Sequence, residues 1–356
     1  MAKFKKRGKT WTYYVYLGID PLTKKRIELS KGGFKTEKEA KAAARIVELQ
    51  KDNGSLIRET NISFELFAKD WLKSYSCSGV KVSSVRAREK EMKHFIKVWG
   101  PYPISKITKK MYEELILELN EQYSKNYMDG IHACGRMLFK KAVIQGLMKI
   151  NPTEDFKMPK KQLSVEDLEK EEESILFLEK EELASFLKIA HSEGLEMDTM
   201  VFSVLSYTGL RIGELLALKW TDFNENQGTI RITKTIYNPT NHIEKYQLLT
   251  PKTKGSVRTI RIDDMLVSML KKHKARQNEI KLKNRLVYQD NGFIFAREDG
   301  HPQLRKVVET RLKRLLKKAG IEKNITPHSF RHTHTSLLIE AGVGIKRFKA
   351  VRTHRY

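Results

Sequence analysis

The sequence predicts a multidomain protein, mainly α-helical with small β elements. Three observations carry that expectation. The chain has 356 residues, enough for two or three separate cores. Its apolar pattern changes from alternation to a three-to-four spacing near residue 61. Asn151-Pro152 and the charged run Glu166 to Glu173 then interrupt the helical text until periodicity resumes near Ile175. The expected division is 1–58, 61–151, a linker at 152–174, and 175–356.

Residues 1–58 hold fifteen Lys/Arg against six Asp/Glu and form a small basic module. Trp11 to Leu17 has the aromatic and β-branched content of a strand, Asp20-Pro21-Leu22-Thr23 is a turn, and Arg26 to Ser30 alternates like a second strand. Thr36 is placed to cap a helix, with Glu39 completing a capping box and Ala40, Ala43, Ala44 and Val47 along one face. Phe64, Phe67, Ala68, Trp71 and Leu72 open a bundle of four or five helices, continued over 85–98, 108–119 and 125–145. In the last segment, helices are expected over 179–190 and 198–208, strands over 229–236, 244–249 and 258–262, and a helix over 304–319. That last helix carries Val307, Val308, Leu312, Leu315 and Leu316 beneath a basic face.

The formal charge of +25 favours a polyanionic partner, nucleic acid first, over a merely soluble basic protein. No apolar run approaches the roughly 18 residues needed to cross a bilayer. The basic start Met1 to Arg7 has no apolar signal core behind it, so a cytoplasmic location and no membrane partner are expected. Cys77 and Cys134 are too few and too far apart for a disulfide framework or a zinc knuckle.

Two basic boxes carry the chemistry: Thr208-Gly209-Leu210-Arg211-Ile212-Gly213-Glu214 and His328-Ser329-Phe330-Arg331-His332-Thr333. Each sets an arginine among apolar residues, where an unpaired guanidinium is costly to bury and so implies an anion, a phosphate or a carboxylate. Glu214 lies one helical turn from Arg211 and can orient it, although that spacing is also the one of an ordinary helix salt bridge. His328 lies one turn before Arg331 on a helix opened by Thr326-Pro327, so both can face one ligand. Metal-free phosphodiester cleavage needs cations for the nonbridging oxygens, a proton donor and a nucleophile, and these residues supply the first two. His328, His332 and His334 form a zinc-like cluster, but no Cys or acidic residue stands near them and no metal is expected.

In order and spacing, TGLRIGELLALKW at 208–220, TPKTKGSVRTI at 250–260 and TPHSFRHTHT at 326–335 resemble the tyrosine recombinases of the phage and transposon integrase type. The resemblance covers nearly the whole chain. It implies a β-β-α arm-binding-like module at 1–58, a helical core-binding (SAM-like) domain at 61–151 and a mixed α/β catalytic domain at 175–356. It also implies strand cleavage and rejoining through a 3′-phosphotyrosine, with no metal or nucleotide cofactor. By position, Arg211 and Arg331 would activate the scissile phosphate, Glu214 would support Arg211, and His328 would assist proton transfer. Lys252 would protonate the leaving 5′-hydroxyl, with Lys254, nearer Gly255, as second choice. The implied partners are double-stranded DNA at attachment sites, three further copies in a homotetramer, and an excisionase or host DNA-bending protein. A type IB topoisomerase shares the catalytic logic, but the basic N-terminal module favours an integrase.

The family pattern continues with a Leu-Gly-His box and a nucleophilic tyrosine, and Arg347 to Tyr356 match neither. Tyr356 is a poor nucleophile candidate, because family spacing puts the tyrosine further on, and His354 has the wrong neighbours. Codons able to spell Ala350 to Tyr356 can, one nucleotide later, spell Arg-Leu-Gly-His-Thr-Asp. The expectation is a C-terminally truncated chain or a reading frame that slipped between about Lys346 and Lys349, binding DNA without recombining it.

Overall fold

The protein is seen in a computed structural model that describes residues 2–19, 26–52, 61–159, 177–251 and 256–343. Contacts divide it into two compact units, Met1–Lys161 and Gln162–Tyr356, each described here by itself.

The first unit opens with three antiparallel strands in the order β1 (Lys3–Arg7), β2 (Thr10–Ile19), β3 (Arg26–Phe34). The expected hairpin is therefore one strand short. The segment KFKKR reads as a basic tail, yet it pairs with β2 from Lys3 opposite Tyr14 to Arg7 opposite Thr10. As an edge strand it tolerates lysines that a central strand would not. Tyr13 and Val15 of β2 pack on Ala44 and Val47 of helix α1 (Glu37–Asp52). Thr36 Oγ1 accepts the Glu39 N–H at 3.2 Å, but the Glu39 carboxylate takes the N–H of Lys35 at 3.0 Å, one residue before the one a capping box uses. The expected turn at 20–23 lies outside the described residues.

Four helices follow: α2 (Phe64–Ser76), α3 (Val82–Trp99), α4 (Lys109–Gln122) and α5 (Lys125–Ile144). Ser63 and Thr108 cap α2 and α4 by accepting the N–H groups of Leu66 and Met111. Phe64, Phe95, Trp99, Tyr112 and Phe139 meet in an aromatic core. Gly135 of α5 makes room for it: a Cβ there would come within 2.8 Å of the Tyr112 hydroxyl. Cys134 is fully buried in the same core, and burial pushes its thiol up to about 12, so it is an inert thiol.

The second unit is built around α7 (Asp198–Thr208), which follows α6 (Lys180–Glu193). Nine of the eleven residues of α7 are buried, Ser203, Ser206 and Thr208 among them, so its small polar side chains lie inside together with its apolar ones. Asp198, at its N-terminus, pairs with Arg311 at 3.1 Å and Arg314 at 2.9 Å, both on α10 (Arg305–Lys318). A five-residue helix α8 (Ile212–Leu216) leads to a small sheet in the order β4 (Phe223–Asn224), β5 (Thr229–Ile232), β8 (Arg258–Arg261). A separate pair, β6 (Thr235–Tyr237) with β7 (Gln247–Leu249), lies against α8. The run expected as one strand over 229–236 splits where Lys234 turns to Asp222, 2.6 Å away. The long helix α9 (Asp264–Lys283) precedes α10, and α11 (Ser329–Glu340) is the last helix described.

Phe330 fastens α11 to the core. It is fully buried, with its ring 5.5 Å from Phe186 and 5.6 Å from Phe202. Phe330→Ala is expected to cost roughly 3–5 kcal/mol in urea unfolding and Phe330→Leu markedly less. A loss under about 1 kcal/mol for the alanine variant would contradict this packing.

Candidate phosphate-binding site

The site starts where α7 stops. Gly209 ends that helix in the left-handed region, φ +58°, with its N–H on the Leu205 carbonyl at 3.0 Å. A side chain there would be strained, and its Cβ would also lie 2.7 Å from Cδ2 of His334. After the turn, Leu210 is buried and Arg211 is extended at the N-cap of α8. Arg211 therefore points out of the fold: its side chain is 52% exposed, not enclosed as the apolar context of its box suggested.

Glu214, by contrast, is buried, with 4% of its side chain exposed. It accepts four hydrogen bonds. Oε2 takes the Arg211 backbone N–H at 3.0 Å and Arg258 Nη2 at 2.9 Å; Oε1 takes Arg211 Nη1 at 3.0 Å and Arg258 Nη1 at 3.4 Å. Burial opposes ionisation of this carboxyl, but the hydrogen bond and charge of Arg258, followed by the bonds from Arg211, outweigh it and hold the group below the usual carboxylate range. The expected Arg211–Glu214 pair is thus present, and Arg258 is the partner that sequence reading missed. The signal was there: with period two, Arg258 shares the inward face of β8 with Ile260, and a buried arginine requires an acid.

The second box reaches the same turn from α11. The N–H of Thr326 bonds to Ser329 Oγ at 3.1 Å, and His328 is the N-cap. Thr333, fully buried, accepts the N–H of Leu178 at 3.0 Å. Arg331 Nη1 donates to the Gly209 carbonyl at 2.6 Å across 122 residues of sequence, and His334 Nδ1 lies 3.0 Å from the Ser206 carbonyl. Both thereby serve carbonyls at the C-terminal end of α7, that of Ser206 in its last turn and that of its cap Gly209. Arg211 and Arg331 so flank Gly209, one by chain connection and one by hydrogen bond.

His328 is exposed, with its ring 5.1 Å from that of His332. Its pKa is held below the ordinary histidine value, first by burial of part of the ring and then by His332 and the guanidinium charges of Arg331, Arg211 and Arg305. Lys252, Lys254, His354 and Tyr356 lie outside the described residues. Among the described residues no group of three or more His, Cys, Asp or Glu could hold a metal, and no helix is long and apolar enough to cross a membrane.

The charges that depress His328 are those an oxyanion would neutralise, so a bound oxyanion should raise the His328 pKa towards its ordinary value. Binding of an oxyanion of fixed charge, such as sulfate, then takes up a proton, and its affinity rises as pH falls through the window just below the ordinary histidine value. Histidine NMR across a sulfate titration reads this directly; an unmoved or lowered His328 pKa would contradict it.

The Phage integrase family model matches residues 157–355, more than half of the chain, and an Arm DNA-binding domain model matches residues 2–51. The integrase of Staphylococcus phage L54a is 30% identical over 324 residues, covering 85% of this chain and 88% of that protein. A probable integrase of prophage ps2 in Lactococcus lactis is 28% identical, covering 92% and 85%. In fold, the chain is similar to the Tn1549 transposon integrase solved with transposon right end DNA, with a TM-score of 0.63 at 22% identity over 82% of this chain and 91% of that one. It is also similar to a lambda integrase dimer bound to a COC′ core site, with a TM-score of 0.59 at 15% identity over 99% and 91%. The chain belongs to the phage integrase family and is by family a site-specific tyrosine recombinase.

Proposed function

We propose that Arg211 and Arg331 grip the nonbridging oxygens of one DNA phosphodiester, that Glu214 orients Arg211, and that His328 assists proton transfer at the same phosphate. The observation that carries this reading is the Arg331 bond to the carbonyl of Gly209, two residues before Arg211, with His328 under the influence of both guanidinium charges. Planar guanidinium forks bind two oxygens each and cannot be deprotonated, which suits them to a phosphate approached from two sides. Lys252 is proposed as the proton donor to the leaving 5′-hydroxyl.

The proposed organisation is an arm-type DNA-binding module at 1–58, a core-binding domain at 61–151, a linker at 152–174 and the catalytic domain from 175. A net charge of +25 supports double-stranded DNA as the partner. The relatives solved with DNA, one as a lambda integrase tetramer on a Holliday junction, support attachment-site DNA and tetrameric assembly for this chain as well. A cytoplasmic location and help from an excisionase or host DNA-bending protein belong to the same reading.

In the family reaction a tyrosine hydroxyl attacks phosphorus, forms a 3′-phosphotyrosine and releases the 5′-hydroxyl. Because Arg347 to Tyr356 do not follow the family's Leu-Gly-His pattern, a polypeptide with this tail is proposed to occupy its sites without completing the covalent step.

A nicked attachment-site substrate tests both parts. The expected result is a gel shift with no denaturation-resistant adduct, and an adduct would overturn the inactive reading. In the same assay Arg211→Ala and Arg331→Ala should each weaken binding and lower the salt slope, together by about one, since they share one phosphate. Unchanged slopes in both variants would remove the phosphate clamp.

A further inference from the structure

We infer that Arg258 is a positioning residue: by occupying both oxygens of Glu214 it confines that carboxylate to a single Nη of Arg211 and leaves the rest of the Arg211 fork for a phosphate. The inference rests on the phosphate-clamp reading above and adds a residue to it.

The geometry of the three side chains carries the argument. Arg258 reaches Glu214 with both terminal nitrogens, at 2.9 and 3.4 Å, and also holds the Ser256 carbonyl at 3.2 Å. Its side chain is 5% exposed, so it is not itself available to a ligand. Arg211 meets the same carboxylate with Nη1 only, while its backbone N–H takes the other oxygen. Arginine and carboxylate left to themselves prefer the two-toothed pairing, which would cover the Arg211 fork. Arg258 takes that pairing instead.

The charges agree. One buried carboxylate between two guanidiniums leaves a net positive charge, and it resides on Arg211, the half-exposed member. With Arg211 alone, Glu214 would cancel the charge the phosphate needs. The carboxylate is also fixed from below: a Cβ on Gly213 would come within 2.6 Å of Thr235 Oγ1, so β6 holds α8 closely. Arg258 stands six residues after Lys252 and thus ties the strand that follows the lysine segment to the first arginine box.

The test is NMR of arginine Nε–Hε groups in the full 356-residue polypeptide, titrated with inorganic phosphate. In the wild type, the Arg211 and Arg331 signals should both move. In Arg258→Met the half-saturating phosphate concentration should rise about tenfold, the value of one charge-assisted hydrogen bond. In the double variant Glu214→Gln, Arg258→Met no carboxylate remains to cover Arg211, and affinity should return towards the wild-type value. A merely structural role for Arg258 predicts no such rescue. Should Arg258→Met fail to fold, Arg258→Lys, which keeps the charge but cannot span both oxygens, takes its place with a smaller expected loss. Unchanged affinity in the single variant, or a double variant as weak as the single, overturns the role of Arg258 while leaving the clamp in place. If neither arginine responds in the wild type, the clamp reading fails and this inference fails with it.

Discussion

The site depends on how one helix ends. The C-terminal end of α7 presents carbonyls that have no donor within the helix, and Gly209 turns the chain away in a conformation that costs other residues more. Arg331 and His334 supply donors from α11, and Arg211 follows two residues beyond the turn. Packing and polar contacts divide the work. Burying Phe330 is worth about 1.5–3 kcal/mol and holds α11 in place. The bond to the Gly209 carbonyl, worth about 0.5–1.5 kcal/mol net, adds less energy but fixes where the Arg331 guanidinium lies.

A second constraint works through charge. Glu214 is a carboxylate in the core, and taking it from water is tolerable only because four N–H groups surround it. Two of those donors come from β8, distant in sequence from the first arginine box. The interior of the second unit is therefore not apolar throughout: one ion cluster lies beneath the site, and Asp198 with Arg311 and Arg314 forms another at the opposite end of α7. Such buried charges add little to stability, and their geometric demands set the orientation of the groups above them.

Much of this was legible in the sequence because local signals and tertiary packing agree. The helix read over 198–208 has those bounds in the structure, since an acidic start and Gly209 mark its ends. Glu214 follows Arg211 at a helical spacing, and the pair forms. What was not legible depended on distant partners. β1 is basic at four of its five positions and becomes a strand only because β2 offers an edge. The run at 229–236 breaks because Lys234 finds Asp222. Arg258 looks like one more basic residue in a basic chain until Ile260 is seen to share its face. The exposure of Arg211 follows from the extended backbone at the N-cap of α8, which an apolar neighbourhood in sequence cannot reveal.

Two boxes far apart in the chain are proposed to hold one phosphodiester. A crystal structure of the 356-residue polypeptide on a duplex carrying its core site tests it most directly. A single phosphate is expected, with oxygens within about 3 Å of guanidinium nitrogens of both Arg211 and Arg331. A bound duplex in which the two arginines contact different phosphates, or in which either makes no phosphate contact, would contradict it.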